Sequence, residues 1–195
     1  MPFVAPIVEG HGEVEAVPAL LHRIARHVAF QGLLRINPPI RVKQGSFIND
    51  DAYFDRQIRL AAAKAAQENG SVLILLDCED ACPAKLGPDL LRKAKAVRGD
   101  VDMFVALAYR EFETWFIAAA ASLRGYFGLP SDLETSVDFE SIRDAKGWLS
   151  ERMDVAYDPV THQLALVRRF DLDAACASRS FGRLFRRVNG LLGGG

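Results

Sequence analysis

Two carboxylates, Glu9 and Asp77, each directly end an apolar run, FVAPIV (3–8) and SVLILL (71–76). Acids recur close by. Glu13 lies one helical turn past Glu9, Glu79 and Asp80 follow Asp77, and Arg110, Glu111 and Glu113 follow a third such run, MFVALA (103–108). Carboxylates gathered in one crevice repel one another and raise their own pKa values unless a cation neutralises them, and their hard oxygens suit Mg2+ or Mn2+. An extended Asp77-Cys78-Glu79 segment would point both acids to one side. Gly10 and Gly12 would let the turn after Glu9 pass close to an ion or a phosphate. Acids at loop-to-helix junctions also serve as caps and as partners of the helix dipole, the reading that Glu13, Asp80 and Glu111 receive when each is taken singly. Glu9 and Asp77 are the leading metal-ligand candidates, followed by Glu79 and Glu113.

The elements that must position these side chains follow from hydrophobic period. The runs 3–8, 71–76 and 103–108 read as buried parallel strands, and 36–43, interrupted by Pro38-Pro39, as a strand near a sheet edge. Pro6 fits a strand only where its missing N–H does no harm. Between the strands, Val14, Val17, Leu20, Leu21, Ile24 and Val28 recur at helical steps. Helices are also expected over 51–68, closed by Asn69-Gly70, over 88–97 and over 111–123. Strand and helix alternate, so the fold class is α/β: a mostly parallel sheet of about four strands flanked by helices. In such a sheet ligands bind outside the carboxyl ends of the strands, where these acids lie. Periodic apolar positions in 142–153, 162–170 and 181–192 give a helical C-terminal cap. The expected organisation is one domain, 1–125 as α/β core and 126–192 packed on it, with Gly193-Gly194-Gly195 as a frayed tail.

Composition bounds the partners. The chain has 195 residues, 50% of them hydrophobic, and a net charge of -1, so it can bury a sizeable core but has no overall positive potential to attract nucleic acid. Any such binding needs a local patch. One exists at 168–187, where Arg168, Arg169, Arg179, Arg183, Arg186 and Arg187 face only Asp171 and Asp173, an excess of four positive charges. It reads equally as a phosphate-backbone surface and as a solvated helix face, or one paired with the acids of 132–144. The apolar stretches fall far short of the roughly 20 residues of a membrane span. No signal peptide is visible, which sets the expectation at a cytoplasmic protein without a membrane partner. The three cysteines, Cys78, Cys82 and Cys176, read as free thiols, and no further Cys or His pair completes a zinc site.

The Glu-Gly after the first strand (Ile7-Val8-Glu9-Gly10) and the acidic pair after the third (Leu76-Asp77-Cys78-Glu79) resemble the TOPRIM domain, the metal-binding fold of topoisomerases, primases and overcoming-lysogenization-defect nucleases. The runs VEGHGEVEAVPALL (8–21), LILLDCEDACP (73–83), REFETWFIA (110–118) and SRSFGRLFRRV (178–188) look like the uncharacterised DUF4276 family of TOPRIM-like proteins, over most of the chain. The resemblance implies a TOPRIM-like fold and a Mg2+- or Mn2+-dependent nuclease. Its metal ligands would be Glu9, Glu13, Asp77 and Glu79, with Glu113 on a second ion. TOPRIM domains usually carry Asp-x-Asp, so Glu79 is a departure. The resemblance also implies a separate ATPase of the ABC type as partner. Catalysis of phosphodiester hydrolysis would further need a cation on the scissile phosphate. Arg110 and Arg179 are the candidates at the site, and Lys43, Arg179, Arg183, Arg186 and Arg187 the candidates for the nucleic-acid backbone.

Other readings are weaker or remain open. Gly10-His11-Gly12 lacks the third glycine of a dinucleotide fingerprint and no phosphate-loop signature occurs. Asp77-Cys78-Glu79-Asp80-Ala81 is not the Asp-x-Asp-x-Thr/Val of a haloacid-dehalogenase-type phosphatase, and Ala108-Tyr109 lacks the hydroxyl residue that a receiver domain needs after its fourth strand. His11 reads as an exposed turn residue, with general base as the alternative, and Trp115 and Phe116 read as core. The rival from another class is a non-catalytic TOPRIM-like module that binds an ion or a protein. DNA versus RNA and monomer versus homodimer are open.

Overall fold

The computed structural model describes residues 1–135 and 138–194. Its elements run β1 (Phe3–Val8), α1 (Glu13–His27), β2 (Arg35–Ile36), β3 (Ile40–Arg41), α2 (Gln44–Asn49), α3 (Asp51–Gln67), β4 (Ser71–Asp77), α4 (Pro83–Val97), β5 (Asp102–Ala108) and α5 (Thr114–Ala118). After these come α6 (Ala145–Ser150), a π turn at Pro159–Gln163, α7 (Leu164–Val167), α8 (Leu172–Ala175) and α9 (Arg179–Leu191). Every strand pairing is parallel, in the order β2-β1-β4-β5, with β3 also on β1. The α/β class and the parallel sheet are as the hydrophobic pattern indicates. β1 and β4 are neighbours, with Val8 opposite Leu75, so Glu9 and Asp77 emerge side by side.

Strand alternation gives the sheet two apolar faces. Val4, Val8, Leu73, Leu75, Phe104 and Ala106 pack with α1, α7 and α9. Phe3, Ala5, Ile7, Val72, Ile74, Leu76 and Met103 pack with α3 and α4. Trp115 and Phe116 are fully buried in the first layer, and the indole N–H donates to Ser180 Oγ at 2.8 Å. Burial of that size stabilises only when the polar tip finds a partner, as it does here.

Pro6 sits in the middle of a strand paired on both edges. Val4 and Val8 carbonyls accept from Asn37 and Val42, so the even residues of β1 face the β2/β3 side. Pro6 therefore turns its missing donor to the gap between β2 and β3, where Pro38-Pro39 breaks the partner strand.

Several boundaries differ from expectation. The 36–43 strand is two short bridges. The 88–97 helix begins at Pro83, because proline at its first position costs no hydrogen bond, and Pro88 lies inside it. The 111–123 helix is α only over Thr114–Ala118 and continues as a 3-10 turn, and the expected helices over 142–153 and 162–170 shorten to α6 and to the π turn followed by α7. Asn69-Gly70 does close α3, with Asn69 taking the left-handed turn (φ 52°). Gly194 N–H still bonds Asn189 O, and Gly195 lies outside the described residues. No helix among the described residues is long and apolar enough to cross a membrane.

Candidate active site

At the carboxyl rim of the sheet a cavity of about 210 Å³ is lined by Glu9, Gly10, Glu13, Asp77, Glu113, Lys146, Pro159 and Gln163. Four of the five acids implied as ligands meet there. Each is held by a different local device. Glu13, 4% exposed in the first turn of α1, reaches back to accept the Glu9 N–H at 3.0 Å. Asp77 closes β4 and accepts the Phe112 N–H at 2.8 Å through Oδ1, which ties the β4 terminus to the segment after β5. Glu113, 1% exposed, accepts from Tyr157 Oη at 2.8 Å and from Gln163 Nε2 at 3.4 Å.

Lys146 enters the cavity from α6. Its Nζ stands 3.1 Å from Glu111 Oε1, 3.2 Å from Glu113 Oε2 and 3.9 Å from Asp77 Oδ2. Glu111 does act as a cap, but of α6: its Oε2 accepts the Ala145 and Lys146 N–H groups at 2.9 and 3.1 Å. That carboxylate also neutralises the helix end that presents the lysine.

Burial and mutual repulsion act on every acid here. Burial raises Glu13 to about 7, working against the Glu9 and Gly10 N–H groups that favour its charge. Asp77 is pushed well above the carboxylate range by burial and by Glu13 and Glu113, with Lys146 opposing. Glu9 rises through burial and the nearby Glu79, and Glu113 through burial against the pull of Lys146. For Lys146, burial disfavours the charge, but Glu113, Asp77 and Glu111 outweigh it and hold the ammonium above its ordinary range.

Among the described residues no group of three or more His, Cys, Asp or Glu side chains stands arranged to hold an ion. The donors nevertheless suit one in kind. Glu9 Oε2, Glu113 Oε2 and Gln163 Oε1, all from residues lining this cavity, are buried and accept no hydrogen bond. Lys146 attracts Glu113 Oε2 from 3.2 Å but lies outside hydrogen-bonding geometry. Orphaned oxygens at a carboxylate cluster are what a hard cation would satisfy.

The remaining candidates do not line this cavity. Glu79 is exposed and absent from the lining. The extended Asp77-Cys78-Glu79 geometry does not form, because Glu79 adopts a left-handed turn (φ 46°). Arg110, also left-handed at φ 60°, pairs with Asp80 at 3.2 Å, and its carbonyl accepts the Glu79 N–H. Two non-glycine residues in that region at adjoining strand ends mark stored strain of the kind found at functional sites. Lys43 is exposed on the same rim, two residues past β3. Arg179, Arg183 and Arg187 line a separate groove along β5, with Arg187 paired to Asp102 at 2.6 Å, and Arg186 is exposed on α9. His11 is exposed and does not line the cavity, and the three cysteines are free.

Lys146, Tyr157 and Gln163 are contributors that motif reasoning did not find. Lys146 had a signal: a lysine in the first turn of a helix, just after the capping Asp144, opposes the helix dipole and so calls for a compensating reason. Tyr157 had none, since it sits in irregular chain, and Gln163, in the π turn, lies in a periodic segment that marks a buried face but no polar partner.

Gly12, at φ -64°, has ordinary backbone, so the need for glycine there is one of space rather than of an approaching ion. A Cβ would lie 2.3 Å from both Pro159 O and Gln163 Oε1. Gly12→Ala is therefore expected to push the π turn off α1 and cost about 1–3 kcal/mol. Urea unfolding checks this, and an unchanged midpoint would refute the close approach.

Compared with known proteins, residues 8–189 match the family described as "Domain of unknown function (DUF4276)". No curated protein and no solved structure matches the chain.

Proposed function

The chain belongs to the DUF4276 family, and from that premise we propose that its carboxylate cavity is the active site of a Mg2+- or Mn2+-dependent phosphodiester hydrolase of TOPRIM type acting on nucleic acid. One observation carries the reading. Glu9, Glu13, Asp77 and Glu113, brought from three strand ends, bound a single cavity in which buried carboxylate oxygens lack donors.

Glu9, Asp77 and Glu113, with Glu13 behind Glu9, would hold the ion. Bound there, it would supply an activated water and charge stabilisation on the phosphate oxygens. The protein groups have separate tasks. Asp77 keeps one oxygen on the Phe112 N–H and turns the other to the cavity, so its orientation is fixed before any ligand arrives. Tyr157 and Gln163 fix Glu113 in the same way. Lys146, on a long and partly exposed stem, is placed to move from the carboxylates to a substrate phosphate, with Lys43 on the same rim. Arg179 and Arg183 border the other groove, so the phosphate-binding role passes from them to these lysines.

Supercoiled plasmid and single-stranded RNA, incubated with the protein, are expected to be cut in Mg2+ or Mn2+ and left intact in EDTA. A second reading, a non-catalytic module, is favoured by Lys146, which already supplies positive charge among the acids. Intact substrates under both ions would select it. A separate ABC-type ATPase partner remains part of the proposal by family resemblance, and a cytoplasmic setting by the odd number of cysteines, all of them free.

A further inference from the structure

β5 is the last strand of the sheet, and nothing among the described residues pairs with its outer edge. The Ala108 carbonyl accepts from Cys78, the residue just past β4, whereas the Tyr109 N–H points the other way, to Ser180 Oγ at 3.2 Å. By alternation, Met103, Val105 and Leu107 present their N–H and C=O groups outward. Residues 103–107 span about 17 Å of strand. They contain no proline and no charge, the usual devices that blunt an edge.

The edge is recessed, not exposed flat. α4 and α9 wall a groove of about 860 Å³ along it, with Pro83 and Leu91 on one side and Arg179 and Arg183 on the other. Lys95 and Arg187 also line it, against Glu140 as the one acid of the lining. Lys95, Arg179 and Arg183 make no ion pair among the described residues. The groove thus offers a backbone ladder between cationic walls.

We propose that this groove binds an acidic segment of another protein by strand addition to β5. Main-chain bonds to Met103, Val105 and Leu107 would give the ladder, apolar side chains would settle between α4 and α9, and carboxylates would meet Lys95, Arg179 and Arg183. Charge argues against a second copy. Antiparallel edge pairing sets the two α9 arginine rows side by side, and parallel pairing sets α9 against α4 with its Lys95. Phosphate backbones offer no donors to answer the outward carbonyls, which disfavours a nucleic acid here.

The test uses the full chain and a labelled octapeptide of alternating Glu and Val, read by fluorescence anisotropy. Saturable binding is expected, weakened about tenfold or more by R179E/R183E and by N-methylation of alternate peptide bonds. A Lys-Val octapeptide should not compete. V105P removes one outward N–H and leaves the inward ladder to β4 intact, so it should also abolish binding, with circular dichroism to confirm folding. No binding at about 1 mM, equal binding of the N-methylated peptide, or displacement by oligothymidine would overturn the proposal. So would a dimer in sedimentation that R179E/R183E dissociates. None of these readouts depends on hydrolysis, so the groove and the carboxylate cavity stand or fall separately.

Discussion

Asp77→Asn is expected to lower metal-dependent cleavage by about a thousandfold while raising the melting temperature of the metal-free protein. The amide keeps the carbonyl oxygen that accepts the Phe112 N–H at 2.8 Å, so the β4 terminus stays in place. It removes the anionic oxygen that faces Lys146 and the cavity. Losing one charge-stabilising group at a reacting centre typically costs a hundred- to a thousandfold, and here a ligand is lost as well. Stability moves the other way because Asp77 is buried beside Glu13 and Glu113, which already oppose its ionisation. A neutral isostere relieves that repulsion, giving the trade between stability and activity common at such sites. Rates on plasmid and melts in EDTA check both halves. Retained cleavage would remove Asp77 from the chemistry, and a lower melting temperature would show that its charge serves the fold.

Lys146→Met is expected to destabilise the metal-free protein at pH 8 by about 2–3 kcal/mol. Breaking a buried pair commonly costs 3–5 kcal/mol, and the lower figure allows for a lysine side chain 38% exposed. The loss should shrink on acidification. Acids whose folded pKa is raised favour the folded state fully below their unfolded value, and that contribution fades as pH rises through the folded value. For Glu13 the window runs from 4.5 to about 7. Asp77, Glu9 and Glu113 shift the same way, so removing the ammonium should steepen the decline. Adding Mg2+ should then raise the melting temperature of the variant more than that of the parent. Equal ion effects in both would mean that lysine and metal do not share the site.

The sheet was legible because its signal is local. SVLILL ending at Asp77 and MFVALA ending at Ala108 announce strands buried on both faces, and the acids after them fall at the rim where parallel sheets bind ligands. Glu9, Glu13, Asp77 and Glu113 could be gathered from that rule and the family resemblance together. Glu79 shows its limit. Two-residue spacing brings side chains together only while the backbone stays extended, and the left-handed residue after Cys78 ends that condition. Arg110 was legible as a cation at a strand end, but its commitment to Asp80 depends on a contact 30 residues away in sequence. Tyr157 and Gln163 reach Glu113 across 44 and 50 residues, Tyr157 from irregular chain where no periodicity marks a direction, and Gln163 from a π turn whose apolar period marks a buried face but no polar partner.

The placement of Lys146 bears on how the chain is made. Synthesis proceeds from the amino end, so the strands and their acids leave the ribosome well before the lysine that offsets them. Until α6 docks, a nascent chain at neutral pH would hold like charges around an unfilled rim, and that corner of the molecule should be the last to settle. The catalytic centre proposed here would accordingly mature only after the carboxyl-terminal helices close over it, a delay built into the order of translation.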